Sequence, residues 1–383
     1  MDERTKPVSV QTLAARIGGH EPLTNAVIPP IHMSATFLRD ADNGYSAGYV
    51  YGRTDNLSVQ QAERLIASLE DADEALIFNS GMAAATAVIL ALEKPTHIVA
   101  SQVMYWGFRS WLLDIGRYGH RVTFVETSDL DALRRAIRPG ETGLIWVETP
   151  SNPLWTITDI AAVAAIAHTF DAVLCVDSTV ATPILTRPLR LGADIVMHSA
   201  TKYLNGHSDL IAGALCTARK DPLWTRIGKT RGQLGSASSG FDAWLLMRGM
   251  RTLDVRVRRQ SQTAAALAAR LAAHPAVSAV LYPGLETHPG HDIALRQMAG
   301  GFGGMFSIRI KSGEAAAIAV AASVQLWQRA TSFGGIESLI EHRASIEGEG
   351  SPCPDDLLRL SVGLEDADDL YFDLARALDR ITV

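Results

Sequence analysis

Lys202 follows a short apolar run, Ile195, Val196 and Met197, in the stretch DIVMHSATKYLNGHSD, with the hydroxyls of Ser199 and Thr201 just ahead of it. A lysine just past a buried strand end has its ammonium desolvated, which lowers its pKa and makes the amine nucleophilic toward carbonyls. Hydroxyls beside it are placed to hold an anion. An aldehyde trap next to an anion site is what pyridoxal phosphate (PLP) requires. One lysine in a strand-end turn is more often a plain surface residue, so this reading needs support from elsewhere in the chain.

Asp177 ends another apolar run, AVLCVD. A carboxylate there can pair with a pyridine nitrogen and keep it protonated, although a turn or helix-capping aspartate looks the same in sequence. Asn79-Ser80-Gly81-Met82 lies between the apolar run ALIF and the helix-forming AAATAVILAL. Backbone N–H groups at such a helix start, with a glycine permitting close approach, can cradle a phosphate. Tyr105 has a ring able to stack on a cofactor or simply to fill core. Arg359 lies among leucines in LLRLSVGLEDADDL, where it needs an anion: a substrate carboxylate, or an ion-pair partner such as Glu365. The GGFGG run lacks the spacing of a dinucleotide fingerprint and precedes its strand, and no HExxH motif occurs; GYSAG (44–48) has the GxSxG spacing but lies in the Gly/Tyr-rich arm without the strand and helix of a nucleophile elbow. No metal is expected. His198 and His207 read as structural hydrogen-bonders.

The elements that must position these residues alternate. Strand-like runs fall at 75–78, 97–100, 122–126, 144–148, 172–177 and 194–197, with helix-like segments at 80–93, 107–117, 128–137 and 158–169. Continuous apolar strands alternating with helices predict an α/β fold with a mainly parallel central sheet covered on both faces. Ligands bind such sheets beyond the carboxyl ends of the strands, where Glu148, Asp177 and the 199–202 turn fall. Ahead of the sheet, residues 1–55 read as an extended arm with a short helix. The spacing of Val59, Ala62, Leu65, Ile66 and Leu69 predicts a helix, with Ser58 as its N-cap. A long helical stretch from Gly240 leads into a smaller α+β C-terminal domain containing the strand MFSIRI and a final helix in DADDLYFDLARALDRI. The expected division is 1–55, 56–245 and 246–383.

The size, 383 residues with 47% hydrophobic and 20% charged, provides ample core. A net charge of −6 with no basic run argues against nucleic acid. Three cysteines without CxxC pairing argue against a disulfide framework or zinc site. The N-terminus lacks an apolar signal core and no run is long enough to span a membrane, so a cytoplasmic protein is expected.

The stretch VDSTVATPILTRPLRLGADIVMHSATKYLNGHSD resembles the signature of the Cys/Met-metabolism PLP-dependent enzymes. YVYGRTDN, FNSGMAAA, VETPSNPL, WLLMRGMRTL, SFGGIESLI and LLRLSVGLEDADDL follow in that family's order. The resemblance implies PLP-dependent transferase fold type I, the aspartate aminotransferase-like fold. It implies that Lys202 anchors the cofactor and shuttles protons, Asp177 pairs with the pyridine nitrogen and Tyr105 stacks on the ring. Gly81, Met82, Ser199 and Thr201 would hold the phosphate, joined by Tyr51 and Arg53 from a neighbouring subunit of a homotetramer. Asn152 would lie near the cofactor's 3-hydroxyl and the substrate carboxylate, which Arg359 and the Ser332 segment grip.

Three departures from the family's pattern bear on substrate. Thr331 stands where γ-synthases and γ-lyases usually carry glutamate, the carboxylate expected to meet the distal amino group of cystathionine. Tyr105 is followed by Trp106-Gly107-Phe108-Arg109 in place of Gly-Gly-Thr, which would put bulk and charge at the pocket mouth. Residues 341–356, EHRASIEGEGSPCPDD, replace a Met-Thr-His-containing segment. The resemblance thus implies elimination or replacement at the Cγ–heteroatom bond of a small, sulfur-type amino acid. The β-lyase of cystathionine, or a γ-lyase acting on methionine, O-acylhomoserine or canavanine, are alternatives. A binding protein with vestigial chemistry would have lost Lys202 or Asp177, and a nicotinamide dehydrogenase would carry the missing glycine fingerprint.

Overall fold

The computed structural model of the protein describes residues 8–16, 24–348 and 350–381. The chain forms two compact units. One contains the described residues up to Glu93 together with Met197–Asp254; the other contains Lys94–Val196 and the described residues from Val255.

In the first unit a short helix, Val10–Ala15, lies in the otherwise irregular N-terminal arm. The helix Leu57–Glu70 buries Val59, Ala62, Leu65, Ile66 and Leu69, the face its spacing predicts. Its N-cap is Asn56, not Ser58: the Asn56 side-chain oxygen accepts from the backbone N–H groups of Ser58 and Val59. Asparagine reaches both orphan amides from an extended backbone, which places Ser58 inside the first turn. Glu74–Phe78 pairs antiparallel with Gly213–Thr217, a strand that the sequence pattern did not distinguish, in the register Glu74↔Thr217 to Phe78↔Gly213. The helix Gly81–Leu90 follows directly, then Pro222–Leu234 and Gly240–Met250 later in the chain. A Cβ on Gly213 would collide with the Ser80 carbonyl, so glycine lets strand and helix start meet.

The second unit holds two sheets. Four parallel strands lie in the order Val173–Asp177, Thr142–Glu148, His97–Ser101, Arg121–Val125. Their inner positions are mostly β-branched or large and apolar, as strands covered on both faces require. The helices Trp106–Leu113, Leu130–Ala136 and Ile160–Thr169 connect them; Asp129 and Asp159 cap the last two. A core of Val99, Ile145, Val147, Leu174 and Val176 packs against Val163 and Ala167. The second sheet orders Gln328–Arg329, Leu339–His342, Leu357–Ser361, Met305–Ile310 and Val277–Leu281, antiparallel except for its first pair. Phe306, Ile308, Leu358 and Leu360 pack there on the helices Leu253–Leu271, Glu314–Ser323 and Ala367–Asp379. The helical stretch expected from Gly240 is two helices, interrupted after Met250.

Candidate active site

In the first unit, Lys202 sits half-buried in a turn that leaves the fully buried strand Ile195–His198. The turn is closed by backbone bonds from Lys202 N–H to Ser199 O (3.0 Å), Asn205 N–H to Ala200 O (3.0 Å) and Gly206 N–H to Lys202 O (2.8 Å). The Thr201 hydroxyl donates to Ala212 O at 3.1 Å and accepts from Ala212 N–H at 3.0 Å, fixing the turn against the residue that leads into Gly213–Thr217. Behind it, His198 Nε2 lies 2.6 Å from Glu70 Oε1, both fully buried. Lys202 is therefore held by a turn whose own backbone is satisfied.

Facing the turn is the start of the helix Gly81–Leu90. Ser80 caps it by accepting from Ala83 N–H at 3.0 Å. The amides of Gly81 and Met82 are first-turn donors with no helical acceptor, at the end where the helix dipole favours an anion. A Cβ on Gly81 would sit 2.9 Å from Ser199 Oγ and 3.2 Å from Ser199 Cα. Gly81, Met82 and Ser199 thus form one cradle of donors that a side chain would fill, and a phosphate fits it. Tyr51, 47% exposed, and Arg53 neighbour each other, the Arg53 guanidinium 5.7 Å from the Tyr51 ring and bonded through Nη1 to Gly232 O.

In the second unit, Asp177 ends its strand in register with Glu148. Its Oδ1 accepts from Thr179 N–H at 3.0 Å and from the Thr179 hydroxyl at 2.5 Å, bonds that favour the charged carboxylate a pyridinium needs. Tyr105 precedes the helix Trp106–Leu113, with a ring 45% exposed; a Cβ on Gly107 would meet that ring at 2.9 Å. Arg109 is not at an open mouth: it is buried, its guanidinium 4.6 Å from the Phe124 ring and 5.5 Å from Trp106, with Nε on Gln102 O. The guanidinium packs on both rings, so the charge expected at the pocket mouth is buried instead.

Arg359 lies in the strand Leu357–Ser361, 3% exposed. Its Nη1 donates to Asn152 Oδ1 at 3.1 Å; its Nη2 donates to Ser332 O at 3.0 Å and to Glu341 Oε2 at 2.5 Å. Burial lowers its pKa to about 10, against the pull of Glu341, so it stays charged at neutral pH. The ion partner is Glu341 and not Glu365, whose carboxylate is taken by the Ser338 N–H and hydroxyl. Ser332 holds φ at +92°, a strained conformation for a residue with a Cβ, of the kind that recurs at ligand clamps. Its neighbour Thr331 is exposed. Asn152, Ser332 and Arg359 are thus brought together. Glu341 was not anticipated, because only the pairing Glu341↔Arg359 across antiparallel strands puts it there. Its carboxylate also takes Arg343 Nη1 at 3.1 Å, and Arg343 Nε reaches Glu347 at 2.8 Å. The divergent 341–356 segment therefore supplies a buried charge network behind the arginine.

The strands alternating with helices are those of a PLP-dependent enzyme of fold type I. The protein belongs to the Cys/Met metabolism PLP-dependent enzymes, whose family model matches residues 11–379. It is 46% identical over 367 residues to the cystathionine gamma-synthase of Mycobacterium tuberculosis, covering 94% of this chain and 93% of that one. To the cystathionine gamma-lyase of Saccharomyces cerevisiae it is 40% identical over 386 residues, with 97% of each covered. The crystal structure of metB from Corynebacterium glutamicum superposes with a TM-score of 0.94 at 40% identity, covering 100% of both chains.

Proposed function

We propose that the protein catalyses PLP-dependent replacement at the γ-carbon of an activated homoserine ester by a thiol such as cysteine, a reading that its similarity to proteins named cystathionine gamma-synthase supports. The observation that carries the reading is the fixed, buried guanidinium of Arg359, held by Asn152 and Ser332 as a clamp for an α-carboxylate, in a chain of this family. Bound PLP supplies an electron sink for negative charge developing beside the substrate nitrogen.

The residues then take distinct roles. Lys202 Nζ would hold the aldehyde until substrate arrives; its freed amine is then the base that takes the Cα proton and afterwards a Cβ proton. Asp177 holds a proton on the pyridine nitrogen, and Tyr105 stacks on the ring. Gly81, Met82 and Ser199 would hold the phosphate, with Thr201, whose hydroxyl proton goes to Ala212 O, fixing the turn beside it; Asn152 and Arg359, with Ser332, orient the substrate. Loss of the Cβ proton lets the Cγ–O bond break with the acyl carboxylate leaving; attack of sulfur, as the thiol gives up its proton, forms Cγ–S, and Lys202 returns protons to Cβ and Cα. Without a thiol, water completes the reaction to ammonia and a 2-oxo acid.

Thr331 favours a second reading, γ-elimination from a substrate lacking a distal ammonium, such as methionine, O-acylhomoserine or canavanine. A neutral, exposed hydroxyl there offers no carboxylate to cystathionine's distal amine. The organisation that supports either reading is an arm (1–55), a cofactor domain (56–245) and a C-terminal domain (246–383), in a cytoplasmic homotetramer. Tyr51 and Arg53 would serve a neighbouring subunit's phosphate. Exposed apolar residues along the arm, Val27 at 76% and Leu38 at 96%, support its burial against another copy. Among the described residues no helix is long and apolar enough to cross a membrane.

The test is product analysis on the PLP-loaded enzyme, offered O-succinylhomoserine with cysteine, cystathionine, methionine and canavanine separately. Cystathionine from the first mixture supports replacement. A 2-oxo acid from a substrate lacking the distal ammonium, with no cystathionine formed, supports the second reading. Pyruvate and homocysteine from cystathionine would overturn both in favour of β-elimination.

A further inference from the structure

Glu148 has no role in the chemistry set out above, yet its carboxylate joins two of the segments that chemistry uses. It ends the strand Thr142–Glu148 beside Asp177 and is 5% exposed. Oε2 accepts from the backbone N–H of Tyr105 at 2.6 Å, and Oε1 accepts from the backbone N–H of Asn152 at 2.7 Å. The Glu148 N–H in turn donates to Ser101 Oγ at 3.2 Å, so the residue carrying the carboxylate is itself anchored. Burial first, and then the Asp177 carboxylate, pushes its pKa well above the ordinary range, against the lowering from the two N–H bonds. A buried carboxylate beside another one is costly, yet an amide side chain of the same shape has one acceptor oxygen for two backbone N–H groups. The site keeps a group with an acceptor oxygen for each of the two amides.

We propose that Glu148 is a positioning residue that sets the ring-stacking Tyr105 and the carboxylate-binding Asn152–Arg359 pair in register with each other. One rigid group fixes both backbones, and Asn152 passes the constraint to Arg359 through its Oδ1 at 3.1 Å. The proposal rests on the PLP reading above. Glutamine at this position keeps the shape but turns an NH2 toward one of the two amides, leaving a buried donor facing a donor. Aspartate keeps both acceptors but sets them back by one methylene.

The test compares the parent with Glu148→Gln and Glu148→Asp. The readouts are amide hydrogen exchange in peptides covering Tyr105 and Asn152, visible circular dichroism of bound PLP, and KM against kcat for the amino-acid substrate. Glu148→Gln is expected to speed exchange at one of the two amides and to change the cofactor's dichroism. It should also raise KM by about tenfold, the equivalent of ~1.4 kcal/mol. Glu148→Asp should fall between it and the parent, and carries the test alone if the amide variant does not fold. Variants that exchange faster or melt earlier while dichroism and KM stay within about twofold of the parent would overturn the proposal and leave Glu148 a structural group. A parent that gives no visible dichroism with PLP would overturn the cofactor reading, and this proposal with it.

Discussion

The lysine turn of the first unit and the arginine clamp of the second are built by different means. Around Lys202 the working groups are mostly backbone: helix-start amides at Gly81 and Met82, a turn closed by its own carbonyls, and glycines at 81 and 213 that let segments touch. Around Arg359 they are buried charges, with Glu341, Arg343 and Glu347 in one network and Glu148 beside Asp177 in another. Backbone cradles need only small side chains in the right places. Buried ions hold their places only while every partner stays, because a lost partner leaves a charge out of water. The first site should therefore tolerate loss of a functional side chain without unfolding, and the second should not.

The sharpest break of that comparison is at Lys202. Lys202→Ala is expected to lower kcat by at least about 10² to 10⁴, the range a positioned acid–base group supplies, while the far-UV spectrum and melting temperature stay near the parent's. The turn's closing bonds run between backbone N–H and C=O groups, which the substitution leaves in place. Substantial remaining turnover would remove Lys202 from the centre of the mechanism.

Arg359→Ala should show the opposite pattern. Loss of the clamp is expected to raise KM for every α-amino acid substrate by about a hundredfold, within the few kcal/mol measured for buried charge pairs. It also strips Glu341 of a partner at 2.5 Å, so stability should fall by about 3–5 kcal/mol in urea unfolding. An unchanged KM would return the arginine to a structural role; an unchanged stability would show that Arg343 alone suffices for Glu341.

Gly81→Ala sharpens the backbone side of the contrast. Its Cβ would meet Ser199 at Oγ, Cβ and Cα, and the Cα cannot swing aside. Overpacking of this kind costs about 1–3 kcal/mol, partly offset in the empty protein by the better helix propensity of alanine, worth up to about 1 kcal/mol. The dissociation constant for PLP, titrated into apoprotein, should rise by about tenfold with little change in melting temperature. Equal affinity would mean that Gly81 and Ser199 do not share the phosphate.

The same difference governs how much of the molecule is legible from sequence. Strand ends at Asp177 and Glu148, the Gly81 helix start and the lysine turn are local patterns: an apolar run, then a polar or small residue. MFSIRI and the C-terminal helix are equally local and fall where expected. Glu341 meets Arg359 only through strand pairing, and Arg109 is buried only because Phe124 and Trp106 sandwich it. No periodicity encodes those meetings. Gly213–Thr217 escaped notice because GALCT is short and has a glycine and an alanine where strand signals are usually β-branched. Asn56 over Ser58 is a contest between two good caps that backbone conformation decides.

The smallest expected effect concerns the loop after Asn152, on the clamp side. His288 is buried against it, hydrogen-bonded to the Trp155 backbone, and accepts through Nδ1 from Gly290 N–H at 3.2 Å. Burial, and then the charge of nearby His291, lowers its pKa to about 4 from the ordinary 6.5. Between those values the unfolded chain binds a proton that the folded protein refuses. His288 therefore costs nothing above pH 6.5, and stability falls as pH drops from 6.5 toward about 4, levelling below that. The full shift corresponds to at most about 3 kcal/mol. Urea unfolding at neutral pH and near the lower limit should show this decline in the parent and a shallower one in His288→Asn, with kcat and KM at neutral pH within about twofold. An equally steep decline in the variant would place the acid sensitivity in other groups, the buried carboxylates of the clamp first among them.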